Sequence, residues 1–298
     1  MNGVINVLKP PAMTSSDVVS HLRRILHEKR IGHTGTLDPG AAGVLPVCVG
    51  RATKIADYIM HADKEYIAEI CFGIETDTLD SYGAVVGRSD ATVTEDTLLE
   101  VLPEFVGKRM QKPPMYSAIK HEGKKLYQLA RQGITIEKPA REIKIDSIAV
   151  LWNTENRYLL RIRCSKGTYI RTLCHEIGKR LGVCAYTSFL MRTETCGYTV
   201  DAAHTFEEIE NFTKNDRLDS ILTPPEEALA FMPKVSCPDY LYDILTTGTP
   251  IDLAKADYLQ IEDDTRYTVF CRNDFIGVGQ RAEDSLKIVT MMKLRGGS

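Results

Sequence analysis

The chain has 298 residues, 43% of them hydrophobic, and a formal net charge of −3. That length can bury a sizeable core without disulfide or metal staples, and no apolar run approaches the ~18 residues a membrane helix needs. Eight cysteines without a Cys-x-x-Cys pair and seven histidines without His-x-x-x-His spacing argue against a zinc site or a disulfide framework. Met1 to Lys9 carries no basic segment followed by a long apolar stretch, so no signal peptide is expected and the expected location is cytoplasmic. The net charge hides an asymmetry: residues 1–100 carry −5, 101–200 carry +10 and 201–298 carry −8. A basic middle between acidic flanks is compatible with a groove for a polyanion. Simple clustering of surface lysines along the sequence is the competing reading.

Val4 to Leu8 predicts a strand, stopped at Lys9-Pro10-Pro11, where two prolines remove backbone donors. Thr14, Ser15, Ser16 and Asp17 offer N-caps to a helix in which Val18, Val19, Leu22, Ile25 and Leu26 repeat with helical period. Arg23 and Arg24 fall on its other face. Gly32 to Gly50 is too punctuated by glycine and proline for one long element. Tyr66 to Phe72 predicts a strand ending at Gly73, followed by a polar run through Thr76, Asp77, Thr78, Asp80 and Ser81. Thr94 caps a helix carrying Leu98, Leu99, Val101, Leu102 and Phe105 that ends near Gly107, and 110–114 reads as extended loop. Lys124 to Arg131 predicts a short helix closed by Gly133. Strands are expected at 134–138, 142–150 and 158–164. In the last, Arg161 and Arg163 alternate with Ile162 and Cys164, which makes one strand face basic. Ile170, Leu173, Cys174 and Ile177 predict a helix running to Gly182. Residues 203–229 read as helical and acidic, and 231–234 as a linker. Beyond it, Tyr267 to Arg272 and Phe275 to Gln280 predict two strands joined at Asn273-Asp274, with another at Leu286 to Met291. That spacing suits a small β-barrel of about 65 residues.

The segment Gly32-His33-Thr34-Gly35-Thr36-Leu37-Asp38-Pro39-Gly40-Ala41-Ala42-Gly43 sets a carboxylate on a stiff, open loop. Its glycines let backbone approach a ligand closely, and Pro39 biases Asp38 toward an extended conformation. Taken alone, an Asp that caps a turn is the plainer reading. A P-loop is excluded because no Gly-Lys-Ser/Thr follows.

Together with Gly43-Val44-Leu45-Pro46-Val47, this segment closely resembles the catalytic motif of the TruB family of pseudouridine synthases. Four more stretches agree in order and spacing. Lys9-Pro10 with Thr14-Ser15 resembles the family's N-terminal motif. Lys64-Glu65-Tyr66, with Gly73 to Asp80 after it, resembles the tyrosine motif. Gln111 to Lys120, with Gly123 and Leu126-Tyr127, is similar to the central block, and Cys164 to Leu173 to the arginine motif. The departures are Ala12, where Gly is usual, and Gly40 and Ala42, where Leu or Met and Thr are common. None of these positions supplies a reacting group.

The resemblance implies an α+β chain with a pseudouridine synthase fold over 1–230, its mixed, mainly antiparallel sheet flanked by helices. A small PUA-like β-barrel that binds RNA is implied over 232–298. The implied function is isomerisation of the T-loop uridine at position 55 of tRNA to pseudouridine. Asp38 is expected to begin breakage of the C1′–N1 bond, Tyr66 to stack on the extruded uracil, and Arg171 to pair with Asp38. His33 is expected to fill the stack that the uridine vacates or to orient the flipped nucleotide. Tyr169 and Leu190 are expected to line the base pocket, and Lys9 to approach the RNA or support the Asp38 loop. Isomerisation needs neither a redox change nor external water, so no cofactor or metal is expected. The expected partner is the tRNA T-arm, with no membrane and no obligate protein partner, and the chain is expected to be a monomer of the free-standing bacterial type. Two other readings stand beside this one. A non-catalytic RNA-binding or RNA-folding protein could keep the same fold, although Asp38, Tyr66 and Arg171 together speak against it. A hydrolytic glycosidase would need a second carboxylate to activate water, for which Asp77 and Asp80 are the nearby candidates.

Overall fold

A computed structural model of the chain describes residues 1–117, 120–121, 123–130, 132–134, 136, 138–255 and 261–293. Ala118, Ile119, Arg131, the side chains of Lys120, Lys124 and Tyr127, and part of the strand expected at 134–138 lie outside the described residues. β1 (Gly3–Lys9) is buried on both faces and ends at Pro10. α1 (Ser15–Leu26) opens in a capping box in which the Thr14 hydroxyl accepts from Asp17 N–H and Asp17 accepts from Thr14 N–H, satisfying donors that the first turn leaves orphaned. It buries Val18, Val19, Leu22 and Leu26. β2 (Ile31–His33) and β3 (Ala42–Val49) flank the Asp38 loop. β3 is a regular strand inside a stretch whose Gly43 and Pro46 look like punctuation. Val44 to Val49 are buried throughout, so packing on both faces overrides that signal.

α2 (Ala56–Met60), β4 (Lys64–Phe72), the hairpin β5 (Ile74–Thr76) and β6 (Val85–Arg88), and α3 (Glu95–Val101) follow. β7 (Gly107–Gln111) extends into the stretch expected to be loop, because it pairs with a later strand. β8 (Lys120–His121), β9 (Lys124–Lys125) and α4 (Leu126–Ala130) precede the long hairpin of β10 (Arg141–Thr154) and β11 (Arg157–Cys164). α5 (Ile170–Leu181) ends on Gly182 in the left-handed conformation. β12 (Ala185–Thr195) and β13 (Tyr198–Thr199) come next. The stretch 203–229 is only partly helical, with α6 (Phe206–Lys214), β14 (Leu222–Thr223) and α7 (Pro225–Ala228).

Ten strands form one mixed sheet in the order β14-β1-β3-β12-β4-β11-β10-β7, with β2 added to β3 and β13 to β12. Every pairing is antiparallel except β3 with β12. The expected mixed, mainly antiparallel sheet is therefore present. α1, α3, α5 and α6 bury their apolar stripes in one cluster with strand residues such as Val7, Ala68, Leu160 and Ile162. β12 is a central strand that sequence periodicity did not reveal. Bulges between Thr187 and Phe189 and between Arg192 and Glu194 break its alternation, so it lacks a clean period of two.

The remaining strands, β15 (Lys234–Cys237), β16 (Ile251–Asp252), β17 (Arg266–Cys271), β18 (Asp274–Ala282) and β19 (Ser285–Met291), form a second sheet beside the short helix α8 (Tyr242–Thr247). Its strands follow an open, curled path, a half-barrel compatible with the PUA-like expectation. The hairpin turn sits one residue earlier than the sequence suggests. Cys271 pairs with Asp274, and Arg272 and Asn273 take φ of 52° and 63°, as a two-residue hairpin demands. A third apolar cluster joins the two sheets, setting Val4, Cys48, Ile55 and Ile59 against Leu229, Val278 and Met292. Across the same joint Lys54 Nζ donates to Met291 O at 3.0 Å, and the Tyr58 and Thr290 hydroxyls lie 2.6 Å apart.

Candidate active site

Asp38 sits on a loop that is tied down from three directions. Ala41 N–H donates to Asp38 O at 3.0 Å and closes a turn with Pro39 and Gly40 at its corner. Leu37 N–H donates to the Ser15 hydroxyl at 2.9 Å. Lys9, wholly buried, donates its ammonium to Pro10 O, Pro39 O and Ala41 O at 2.9, 3.3 and 2.6 Å. Burial pushes the Lys9 pKa down to about 8. Of the two placements expected for Lys9, the structure shows loop support. A fully buried side chain presents no surface to RNA in this structure.

Arg171 occupies the first turn of α5, where the positive end of the helix dipole disfavours a cation. Its partners offset that. Nε donates to Asp38 Oδ2 at 2.8 Å, Nη1 to Thr78 O at 2.7 Å and Nη2 to Tyr116 O at 2.8 Å. Asp80 Oδ2 lies 3.4 Å from Nη1. One guanidinium thus gathers the aspartate loop, the turn after β5 and the central block. Its side chain is 4% exposed and that of Asp38 35%, so the carboxylate reaches solvent while its cation does not. The turn that holds Tyr169 is clamped by Gln111, whose amide accepts from Tyr169 N–H at 2.8 Å and donates to Tyr169 O at 3.1 Å.

Asp38, Tyr66, Tyr169, Arg171 and Leu190 line one cleft of about 550 Å³. Tyr66, on β4, lies directly across from Arg192 on β12. Burial pushes the Tyr66 hydroxyl up, and Arg192 is its charged neighbour. Arg192 is buried and donates from Nε to Val44 O at 2.8 Å. Lys64, also buried, donates to Met60 O at 2.8 Å and to Ala62 O, and burial brings its pKa down to about 8. Ionisable groups crowd the cleft: Lys64, Arg141, Lys166, Arg171 and Arg192 face Asp38 and Glu142. His33 is half-buried at the end of β2 and is not among the cleft-lining residues. Arg192 had no sequence signal, being a lone arginine in an unassigned stretch. Gln111 and Lys64 stood inside recognisable motifs without an assigned role. Among the described residues no group of three His, Cys, Asp or Glu side chains could hold a metal ion. No helix among them is long and apolar enough to cross a membrane.

A carboxylate held by a buried arginine, in a cleft lined by cations and aromatic rings, suits chemistry on a flat ring carried by a polyanion. Comparison with known proteins gives the family of the chain. The profile for the TruB family pseudouridylate synthase (N terminal domain) matches residues 23–170, and that for the tRNA pseudouridylate synthase B C-terminal domain matches 171–230. The tRNA pseudouridine synthase B of Alkaliphilus oremlandii (strain OhILAs) is 41% identical over 297 residues, 99% of this chain and 98% of that protein. The chain belongs to the TruB family. A second member, tRNA pseudouridine synthase B of Pelotomaculum thermopropionicum, is 47% identical over 241 residues, 79% of this chain and 76% of that protein. The fold is also that of a protein in an H/ACA RNP bound to a substrate RNA containing 2′-deoxyuridine. That structure covers 98% of this chain and 84% of its own, with a TM-score of 0.74 and 26% identity. This TruB-family chain therefore has its structural counterpart across both sheets.

Proposed function

We propose that the chain isomerises the T-loop uridine at position 55 of tRNA to pseudouridine, with Asp38 as the catalytic carboxylate. The observation that carries this reading is the 2.8 Å bond from buried Arg171 to Asp38 in a cleft lined also by Tyr66, Tyr169 and Leu190. Membership of a family whose members are named for tRNA pseudouridine synthesis supports it. The uridine leaves its stack at a cost of a few kcal/mol, and stacking on Tyr66 returns roughly 1–3 kcal/mol. Asp38 begins cleavage of the C1′–N1 bond, and uracil turns within the pocket bounded by Tyr169 and Leu190. The C1′–C5 bond then forms, C5 loses its proton and N1 gains one. Arg171 keeps the carboxylate aimed throughout. His33 fills the vacated stack or orients the flipped nucleotide. Residues 1–230 form the catalytic domain, and 232–298 form a PUA-like domain that adds affinity for RNA. The protein acts in the cytoplasm on the tRNA T-arm, as a monomer without an obligate protein partner.

The hydrolytic alternative needs a second carboxylate to activate water. Asp80 is the near candidate, but it is engaged by Arg171, by the Thr78 hydroxyl at 2.5 Å and by Tyr82 N–H at 3.0 Å. The deciding experiment incubates the protein with unmodified tRNA transcript and maps pseudouridine by position. Asp38→Asn keeps size and hydrogen-bonding reach but removes nucleophile and base. It is expected to bind tRNA as tightly as wild type or tighter, and to form no product, as for a group acting only in the transition state. Substantial product from Asp38→Asn, with deamidation excluded by mass spectrometry, overturns the assignment.

A further inference from the structure

Two aromatic rings stand in water beside the candidate site. Tyr82 is 68% exposed and Phe189 43%, and both line a small depression shared with Asp38, Gly40, Arg171 and Leu190. Single exposed hydrophobics are ordinary, but two aromatic faces flanking one charged depression offer a surface on which a flat base can stack. Tyr82 lies directly on the Asp38 turn: a Cβ at Gly40 would stand 2.1 Å from its ring. Glycine at the corner is what lets the ring approach.

Neither ring sits on loose chain. Tyr82 N–H donates to Asp80 Oδ1 at 3.0 Å, and Asp80 in turn pairs with Arg171. Thr187 N–H donates to Leu79 O at 3.0 Å, and the Ser81 hydroxyl donates to Ser188 O at 3.5 Å, which pins the turn against β12. Phe189 and Leu190 are neighbours in regular register on β12 and point to opposite faces, so Phe189 faces solvent while Leu190 lines the cleft.

We propose that Tyr82 and Phe189 form a stacking subsite for an unpaired RNA base next to the target uridine. This rests on the function proposed above and adds a second nucleotide to it. A neighbouring base that leaves the stack together with the extruded uridine needs a new partner, and an exposed aromatic face offers one for any base identity. Mounting Tyr82 on Asp80 and Arg171 ties the subsite rigidly to Asp38, so a base seated there fixes where the extruded uridine falls.

The test is a binding cycle on a T-arm stem-loop RNA, read by equilibrium titration without turnover. Tyr82→Ala and Phe189→Ala are each expected to raise Kd roughly tenfold, the scale of one lost base–aromatic stack. Tyr82→Phe is expected to keep wild-type affinity, which separates loss of the ring from loss of the fold. Gly40→Ala, whose methyl displaces the Tyr82 ring, is expected to weaken binding in the wild type and to add nothing to Tyr82→Ala. With the base deleted from the nucleotide immediately 5′ or immediately 3′ of the target, one of the two RNAs should bind wild type and Tyr82→Ala alike. Wild-type affinity in both alanine variants, or a Tyr82→Ala penalty that survives both base deletions, overturns the subsite. In a separate turnover assay on the same RNA, a wild type that binds but forms no pseudouridine overturns the proposed function instead.

Discussion

Lys9 shows how much a single buried cation can organise. Its three ammonium protons meet three carbonyl oxygens, two of them in the Asp38 turn. The neutral amine has only two protons, so deprotonation leaves one carbonyl without its donor, and an unsatisfied buried acceptor is costly. Burial brings this pKa down to about 8 from an ordinary 10.5. The sign for stability follows from linkage. Between those two values the folded protein has released a proton that the unfolded chain still holds, so this group's contribution to stability rises with pH there. A fall in rate above pH 8 is therefore not explained by Lys9 destabilising the fold, and an unfolding measurement at each pH separates loop loosening from loss of structure. Lys64 has a pKa near the same value but only two carbonyl acceptors, which its neutral amine still satisfies. Single-turnover rate is expected to decline as pH rises through about 8, whereas Lys9→Met is slower at every pH and lacks that decline. A wild-type to Lys9→Met rate ratio that stays flat from about pH 7 to about pH 9.5 removes Lys9 from control of the loop.

The element that makes the site possible is the parallel junction of β3 and β12, where Met191 pairs with Ala42 and Arg192 with Gly43. It brings the strand after the Asp38 loop beside the strand that carries Leu190 and Arg192. Gly43 has φ of 107°, and a Cβ there would stand 2.1 Å from the Arg192 carbonyl oxygen. Gly43→Ala is therefore strained in conformation and drives the strands apart. It is expected to cost about 3 kcal/mol or more, measured by denaturant unfolding, or to yield insoluble protein. An unchanged unfolding midpoint would show that the junction is more plastic than its geometry suggests. Elements with local signals were legible in sequence: the Thr14 and Thr94 capping boxes start α1 and α3, and Gly182 ends α5. β3, β7 and β12 were not, because their partners lie far away in the chain and their own patterns are broken by Gly43, by basic residues or by bulges.

Across the whole molecule, the positive charge of residues 101–200 is partly paired on the surface and partly gathered at the cleft. Arg109, Arg157, Arg163 and Arg180 pair with Glu176, Glu69, Glu194 and Glu104, and such partly exposed pairs neutralise rather than attract. Arg141, Lys166 and Arg171 instead line the cleft, joined there by Lys64 and Arg192. Arg171, Arg192 and Lys64 are buried, whereas Arg141 and Lys166 are exposed, so the accessible positive charge of the cleft comes from those two residues and not from the segment as a whole. The second sheet is more than an appendage, because Val278 and Met292 share a core with Val4, Cys48, Ile55 and Ile59. Truncation after Met232 bares that apolar surface. The shortened chain is expected to unfold at lower temperature and to aggregate more readily than the full chain, by thermal scan and light scattering. Its soluble fraction is expected to keep a single-turnover rate at saturating enzyme within about tenfold of the full chain, under ~1.4 kcal/mol of barrier. A truncated chain as thermostable as the full one would show that the shared core contributes nothing.

The sequence by itself determined which chemical groups are present and in what order. Gly32 to Pro39, Lys64 to Tyr66 and Cys164 to Leu173 carry a family signature, and short-range capping and periodicity place most of the helices. Only the tertiary structure decided what each group touches. Arg171 and Asp38 are 133 residues apart, and nothing local in either segment encodes their bond. Lys9 could have faced RNA or the loop until packing buried it completely. Arg192 carried no sequence signal, and only the threading of β12 between β3 and β4 set it opposite Tyr66. The physical reason is the same in each case. Local propensity depends on neighbours in the chain, whereas the environment of a buried charge depends on strands paired over long distances. That environment emerges only when the sheet closes over it.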